Sequence, residues 1–329
     1  MAPQAAGVRL SDLQRPVERM LGAVGDELRR MVLADLPLID DVNAHLLQMK
    51  GKQFRPMLLF LSNRAAGADD PRVIRFAAIV ELTHLATLVH DDSVDHSTLR
   101  RGMPTINALF SHQVSVIMGD YLYSRAIIEL VAVDDLEPLR LLSRVTNDMT
   151  VGEMRQLTAY DALRFTEEEY GFLIRAKTAS LFSAACELGV LRASPEHRAA
   201  LRAYGHALGM AFQITDDLLD YTEGEAVTGK PSGLDLKEHK VTLPLIAALP
   251  RLAPDERREV EALFTEQEPA EERVARVIGL VAWAGGLEYA RRRAEEYAAR
   301  AEAALEELPP SQARDALRDA IVYAVERRR

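Results

Sequence analysis

The stretch HLATLVHDDSVDHSTLRRGMPT, residues 84–105, carries the strongest signal in this chain. It is the end of an apolar helix predicted over residues 71–95. That helix finishes in three aspartates, which are Asp91, Asp92 and Asp95. Two arginines follow at once, Arg100 and Arg101. A buried apolar helix seldom ends in so many charges unless something binds them, because unpaired buried charge is costly. The stretch therefore predicts a core helix with a binding site at its end.

The composition favours helices packed closely on helices. Hydrophobic residues make up 48% of the 329 residues and aromatic residues only 6%, so the apolar surface comes mainly from small and aliphatic side chains. The predicted fold is therefore all-α. No low-complexity segment or Ser/Gly linker divides the chain, so residues 1–329 are predicted to form a single domain, with residues 1–9 disordered.

The charge and the cysteine content exclude several classes of protein. A formal net charge of −10 argues against a broad basic surface and hence against a nucleic-acid partner. The single cysteine, Cys186, excludes a disulfide framework and a cysteine metal site, and it favours a cytoplasmic location. The first residues do not resemble a secretory signal, and no run of about 18 uninterrupted apolar residues predicts a transmembrane helix.

Further helices are predicted from apolar spacing and from capping signals. The ranges expected to be helical are 10–36, 57–66, 114–131 and 136–159. Thr166 and Glu169 match a capping box that starts a helix continuing to residue 188. A further helix is expected to begin at Ser194.

The helix that begins at Ser194 ends in a second DDxxD motif, formed by Asp216, Asp217 and Asp220. Positions i and i+4 of an α-helix share a face, so within each motif the carboxylates point to one side. The irregular segment 222–237 follows the second motif. It brings lysines close to these aspartates in sequence: Lys230, Lys237 and Lys240. Loops of this length inside a compact domain are usually functional or disordered, and the lysines favour function.

The aspartate motifs predict a site for magnesium, with manganese as an alternative, because they offer oxygen ligands without histidine or cysteine. Carboxylates this dense repel one another and are tolerated when a hard cation neutralises them. Magnesium completes its shell with water and substrate phosphate, so two such motifs suggest magnesium ions held on a diphosphate. A calcium loop of the EF-hand type does not fit, because DDSVDHSTLRRG lacks the required glycine and the final glutamate.

Basic residues form two separate groups. One group flanks the aspartate motifs in sequence: Arg100, Arg101, Lys177, Lys230 and Lys240. The other is a pair far upstream, Lys52 and Arg55. Arginine and lysine are common phosphate ligands, so two groups predict two phosphorylated substrates, only one of them bound through metal.

Six blocks of sequence, in their order along the chain, resemble the trans-isoprenyl diphosphate synthases, also called polyprenyl synthetases. The blocks are GKQFRP, HLATLVHDDSVDHSTLRRGMPT, GDYLYSR, GEMRQL, AKTASLF and FQITDDLLDY with GKPSGLDLKEHKVTLP. The resemblance covers residues 48–250 and implies a bundle of long helices around a central cavity, of the isoprenoid synthase type. It also implies a cluster of three magnesium ions, isopentenyl diphosphate and an allylic diphosphate as substrates, a homodimer, and at most peripheral membrane contact for product release. The chain departs from the family pattern at Gln53 and His239.

The resemblance also implies roles for individual residues. It assigns magnesium to Asp91, Asp92, Asp95, Asp216, Asp217 and Asp220. It assigns the allylic substrate to Arg100, Lys177, Thr178, Gln213, Lys230 and Lys240. It assigns isopentenyl diphosphate to Lys52, Arg55, His84 and Arg101. The catalytic residues would be Asp91, Asp92, Asp95, Asp216 and Asp217 with Arg100, Lys177 and Lys230. They would stabilise the departing pyrophosphate while isopentenyl diphosphate attacks the allylic carbocation. Taken alone, His84 also fits an ordinary core histidine, and Lys52 with Arg55 ordinary loop charge.

Product length is predicted from the residues about one turn before Asp91. These are Ala86 and Thr87, both small, whereas short-chain members of the family often carry aromatic residues there. A long-chain product of the quinone side-chain type is therefore expected. The candidates for the end of the product tunnel are Met118, Tyr121, Leu122 and Arg125. The alternatives are a farnesyl or geranylgeranyl synthase, a terpene cyclase and a non-catalytic partner subunit; the intact aspartates and the upstream basic pair argue against the last two.

Overall fold

The computed structural model of the protein describes residues 8–49, 51–157, 162–222 and 233–326. Lys230 lies outside the described residues, and so do residues 1–7 of the segment 1–9 that was predicted to be disordered. The α-helices of the first half are α1 (Leu10–Gln14), α2 (Glu18–Met31), α3 (Pro37–Gln48), α4 (Phe54–Ala65), α5 (Val73–Val94), α6 (Ile106–Leu109), α7 (His112–Val131) and α8 (Leu136–Leu157). Those of the second half are α9 (Glu167–Ile174), α10 (Ser180–Leu188), α11 (Pro195–Thr222), α12 (Leu234–Lys237), α13 (Leu243–Ala248), α14 (Pro254–Thr265), α15 (Glu271–Trp283), α16 (Gly286–Leu305) and α17 (Gln312–Glu326).

The all-α prediction is confirmed. The only strands among the described residues are β1 (Leu99–Arg100) and β2 (Met103–Pro104), which form an antiparallel hairpin. Both residues of its turn have positive φ, 52° at Arg101 and 75° at Gly102. Turns of this kind match the twist of a tight hairpin, but they are sterically costly for a residue with a side chain. Arg101 is therefore held in a strained conformation beside the first aspartate motif.

Two parts of the helix prediction were wrong. The helix expected over residues 10–36 is divided into α1, a 3-10 turn at Arg15–Val17 and α2. Pro16 lies in this turn, where it has no N–H to continue α-helical hydrogen bonding. The helix α3 was not predicted at all; it begins at Pro37, a favoured first position for proline.

The capping box of Thr166 and Glu169 is confirmed, since each side chain accepts a hydrogen bond from the other residue's backbone N–H. The helix that it starts does not run uniformly to residue 188. A π-helical turn, Arg175–Ala179, separates α9 from α10. Turns of this type insert an extra residue and often occur at functional sites, and this one contains Lys177 and Thr178.

Helix α5 is the centre of the main apolar core. Phe76, Ile79 and Leu82 are completely buried, and α2, α4 and α7 pack around the helix. By length and composition α5 is also the one described helix that could cross a membrane, but 67% of its most apolar window is buried inside the protein. The apolar character of α5 is therefore explained by its core position.

Glycines allow helices to approach closely where the site is built. A Cβ at Gly119 of α7 would lie 2.2 Å from the His90 ring of α5. A Cβ at Gly209 of α11 would lie 2.6 Å from the Cα of Ala179, in the π-helical turn. A larger residue at Gly209 could not fit without moving the helices apart, and one at Gly119 would displace the His90 ring. The contacts thus fix α7 against the end of α5, and α11 against the π-helical turn.

The organisation of residues 1–329 as a single domain stays a prediction.

Candidate active site

The first aspartate motif lies at the C-terminal end of α5, where the helix dipole disfavours negative charge. Asp92 is buried and forms a bidentate ion pair with Arg100, whose Nε lies 2.8 Å from both carboxylate oxygens. The β-hairpin makes this pair by folding Arg100 back over the helix end. Asp95 is exposed and Asp91 is half-buried.

Lys177 lies near Asp91 and has partners from α8. It forms an ion pair with Glu153, and its Nζ donates to Gln156 Oε1 at 3.2 Å. Burial raises the pKa of Asp91 to about 6; the charge of Lys177 acts against this shift, and Glu153 and Asp95 add to it. Lys177, Glu153 and Asp91 thus form one electrostatic group that joins α5, α8 and the π-helical turn.

The second motif lies at the C-terminal end of α11, and its central aspartate is buried. Asp217 Oδ1 accepts a hydrogen bond from Gln213 Nε2 at 2.7 Å, and Oδ2 accepts one from the Tyr170 hydroxyl at 2.6 Å. The Gln213 Oε1 in turn accepts from the Thr178 hydroxyl at 2.8 Å. Burial and the nearby carboxylate of Asp235 raise the pKa of Asp217, while burial and Asp217 raise that of Tyr170, so the tyrosine keeps its proton.

Asp220 organises the chain that follows the second motif. Its carboxylate accepts from the backbone N–H groups of Leu234 at 3.2 Å and Asp235 at 3.0 Å, at the start of α12. Gly233 precedes them with φ 76°, a conformation that suits glycine. Burial and Asp220 raise the pKa of Asp235 to about 7. Asp235 is therefore an additional acid of the site.

Lys240 joins the first motif to the segment that follows the second, because its backbone N–H donates to the carbonyl of Asp235 at 2.7 Å. Its Nζ lies 3.6 Å from Asp95 of the first motif and 2.8 Å from Glu238. His239, at the position where the family usually has glycine, has φ 56° and so adopts the left-handed conformation that glycine favours. The turn before Lys240 is thus kept, and it directs the lysine towards the first motif.

Arg55 of the upstream basic pair and Arg101 of the hairpin lie near α5, about two to three turns before Asp91. Arg55 and Arg101 both act electrostatically on the buried Glu81 and on His84. Burial lowers the pKa of His84 well below its usual value, and the arginines lower it further, so His84 is neutral at pH 7. Arg55 stacks 4.9 Å over the Phe182 ring, and Arg101 Nη1 donates to the Met49 carbonyl at 2.9 Å. Lys52 is exposed.

The donor set of the two motifs fits magnesium. The described residues contain no group of three or more His, Cys, Asp or Glu side chains that already converge on one point. Magnesium does not need such a cage, because it binds through one or two carboxylates and completes its shell with water and phosphate. The residues that would hold it are the six predicted aspartates. Among them, Asp217 has one oxygen bonded to Gln213 of its own helix and the other to Tyr170 of α9.

Sequence reasoning missed several residues of the site: Glu81, Glu153, Gln156, Tyr170 and Asp235. Glu153 and Gln156 lie in the GEMRQL block, and Asp235 lies in the lysine segment, so the blocks contained them without indicating a role. Glu81 could have been found as a lone charge in an apolar helix. Nothing in the local sequence of Tyr170 indicates that it reaches Asp217.

The comparisons with known proteins agree with this arrangement. Residues 36–281 match the family model described as polyprenyl synthetase. The chain belongs to the polyprenyl synthetase family. It is 37% identical over 311 residues to the octaprenyl diphosphate synthase of Escherichia coli (strain K12), covering 94% of this chain and 96% of that one. It is 38% identical to the all-trans-nonaprenyl-diphosphate synthase (geranyl-diphosphate specific) of Rhodobacter capsulatus, covering 96% and 97% of the two chains.

A solved structure shows the same fold. The polyprenyl synthase from Caulobacter crescentus CB15, complexed with calcium and isoprenyl diphosphate, superposes with a TM-score of 0.92 at 36% identity, covering 99% of this chain and 100% of that one. The predicted family and the isoprenoid synthase fold are thus confirmed, and so is the prediction of a prenyltransferase enzyme. The long-chain relatives give the short-chain alternative less support.

Proposed function

We propose that this polyprenyl synthetase condenses isopentenyl diphosphate with an allylic diphosphate to give a long-chain polyprenyl diphosphate. The observation that carries the proposal is that Lys240 joins Asp95 of the first aspartate motif to the segment that Asp220 of the second motif holds, while Arg55 and Arg101 lie near Glu81 and His84 of α5. One site suits a metal-bound diphosphate, and the other suits a diphosphate held by arginines alone. The named activities of the long-chain relatives support the product class.

Different residues would act on the two substrates. Lys177, Lys240 and Arg100 place positive charge around the aspartates, where negative charge develops as the allylic carbon–oxygen bond breaks. Magnesium, held by the aspartates, would add positive charge on the same leaving group. Arg55, Arg101 and neutral His84 would hold isopentenyl diphosphate, whose double bond attacks the allylic carbocation. The proton then lost would pass to the departing pyrophosphate.

The direct test is incubation with magnesium, labelled isopentenyl diphosphate and allylic primers of increasing length. We expect incorporation of label, with chromatography showing a long-chain product. A terpene cyclase would instead convert one allylic diphosphate without incorporating label. No incorporation with any primer would contradict the proposal.

Magnesium dependence should change with pH, because the pKa of Asp91 is about 6. A raised pKa means that Asp91 is ionised at pH 8 and mostly protonated at pH 5.5, and the protonated form does not bind metal. The half-saturating magnesium concentration should therefore rise about fourfold from pH 8 to pH 5.5 through Asp91 alone. Magnesium titrations of the initial rate, with the fully ionised substrate kept constant, would measure this. An unchanged value over this range would contradict the shifted pKa.

The homodimer, which we also propose, is supported by an exposed apolar face on α7. Ile117 is 64% exposed, Ile128 51% and Val131 60%, and helical spacing places them on one side. Apolar patches of this kind commonly mark protein interfaces.

The product is itself apolar, so we further propose a cytoplasmic enzyme with peripheral membrane contact during product release.

The Ile128→Glu variant should be monomeric, because a charge at the centre of an apolar interface would be buried without a partner. Light scattering after gel filtration measures the mass. The control is Trp283→Glu, a change at another exposed apolar residue, 73% accessible at the end of α15. The Trp283→Glu protein should remain a dimer. A dimeric Ile128→Glu protein would contradict an interface on this face of α7, and a monomeric Trp283→Glu protein would place the interface at α15.

Of the four candidates for the end of the product tunnel, we retain two, Met118 and Leu122. Tyr121 donates to the carbonyls of Val32 at 3.2 Å and Leu33 at 3.1 Å, and Arg125 donates to the Met31 carbonyl. Both side chains therefore donate hydrogen bonds to backbone carbonyls at the end of α2. Met118 and Leu122 are buried and apolar, as the end of a hydrocarbon tunnel requires.

A further inference from the structure

A line of buried hydrogen bonds joins the π-helical turn, α11 and α9. The Thr178 hydroxyl donates to Gln213, Gln213 donates to Asp217, and the Tyr170 hydroxyl donates to Asp217 from the opposite side. The three donor–acceptor distances are 2.8, 2.7 and 2.6 Å. The family resemblance implies a substrate-binding role for Thr178 and Gln213, but it implies none for Tyr170.

The two hydrogen bonds of Asp217 are not equivalent. Gln213 lies one turn earlier on the same helix, so its bond moves with α11. Tyr170 lies on α9, and its bond therefore fixes the carboxylate relative to a second helix. Two donors on different oxygens determine the orientation of a carboxylate, whereas one donor leaves it free to rotate.

Tyr170 is itself firmly placed. It is 3% exposed, and its ring packs in an apolar cluster with Ile174, Met210 and Ile214. Its backbone N–H donates to the Thr166 carbonyl at 2.9 Å, in the first turn after the capping box. The capping box thus sets the start of α9, and α9 sets the height of the tyrosine hydroxyl opposite Asp217.

We propose that Tyr170 is a positioning residue that holds the Asp217 carboxylate between α9 and α11 and so orients the second aspartate motif towards the metal-bound diphosphate. This inference rests on the proposed function. Second-layer hydrogen bonds of this kind orient the ligands of a metal site, and losing one commonly costs about 10- to 100-fold in affinity or activity. Packing alone does not require the hydroxyl, because phenylalanine would fill the same space.

The test is the Tyr170→Phe variant, with Tyr204→Phe as a matched control. Tyr204 is also completely buried and donates to a backbone carbonyl, that of Leu317, at 2.7 Å, on the side of α11 that faces α17. Calorimetric titration with inorganic pyrophosphate in the presence of magnesium should show about tenfold or greater weakening for Tyr170→Phe. The kcat should fall by a similar factor, while KM for isopentenyl diphosphate should stay unchanged. Tyr204→Phe should lower the melting temperature but change none of these values.

A double variant separates positioning from general damage. If Tyr170 acts through Asp217, then Tyr170→Phe should add no further loss of pyrophosphate affinity to an Asp217→Asn protein. Wild-type pyrophosphate affinity in Tyr170→Phe, or losses that add fully in the double variant, would overturn the inference. Failure of the wild-type protein to incorporate label would count against the proposed function instead, and the calorimetric comparison would still decide the role of Tyr170.

Discussion

Asp91→Asn should lower kcat by about a thousandfold and at the same time stabilise the protein prepared without magnesium. The loss of activity is expected because asparagine cannot supply the charge that we propose holds metal on the departing pyrophosphate. Removing one such electrostatic contact costs about two to three orders of magnitude. The gain in stability follows from the pKa of Asp91, which is raised to about 6 by burial.

The sign of the stability effect comes from proton binding. An aspartate with a pKa of about 6 in the folded protein and near 3.8 in the unfolded chain binds more protons when folded between these values. Stability therefore falls as the pH rises through that range, and ionised Asp91 opposes folding at pH 8 by up to about 3 kcal/mol. Asparagine removes this cost, so the melting temperature at pH 8 without magnesium should rise.

A matched control is Asp148→Asn, which changes an exposed aspartate on α8. It should alter neither kcat nor the melting temperature, because an isolated surface charge contributes little. Steady-state kinetics and thermal denaturation of the three proteins give both readouts. An Asp91→Asn enzyme with wild-type kcat would remove Asp91 from the metal site, and a lowered melting temperature would contradict the raised pKa.

Ala86→Phe should shift the product from the long-chain class to the farnesyl or geranylgeranyl class. Ala86 is 3% exposed and lies about one turn before Asp91 on α5. If the growing chain passes this point, the phenyl ring would occupy the space that further isoprene units need. Thr87→Phe is the companion variant, at the next position of the same turn; the Thr87 hydroxyl donates to the His84 carbonyl at 2.8 Å, a bond internal to α5.

The control for both is Leu88→Phe, which places the same ring on the same turn but in another direction, with little change of volume. Chromatography of the labelled products should show a shortened chain for Ala86→Phe or Thr87→Phe and the wild-type product for Leu88→Phe. Unchanged product length in both test variants would contradict the idea that these positions limit chain growth. Circular dichroism of each variant separates a blocked tunnel from a damaged fold.

Most of the chemistry proposed for the site was already inferred from the sequence, because it depends on residue types. Six aspartates in two motifs, with flanking arginines and lysines, indicate metal and diphosphate whatever their exact placement. The division of α1 from α2 was missed, although Pro16 gives its physical cause, and α3 was missed because its apolar residues did not stand out from the preceding pattern. The π-helical turn was missed because its residues continue the helical pattern around them; it packs against α11 at Gly209, where a Cβ would lie 2.6 Å from the Cα of Ala179.

The helical class, the two aspartate motifs and the family follow from the sequence, since these depend on composition, spacing and the order of short blocks. Which groups lie in contact became known from the packed helices. The tertiary structure placed Lys240 against Asp95, Lys177 between Glu153 and Asp91, and Tyr170 on Asp217, and it assigned Tyr121 and Arg125 to the end of α2. The reason is physical: hydrogen bonds and ion pairs need atoms within a few ångströms, and residues distant in sequence reach that separation only when the helices that carry them have packed.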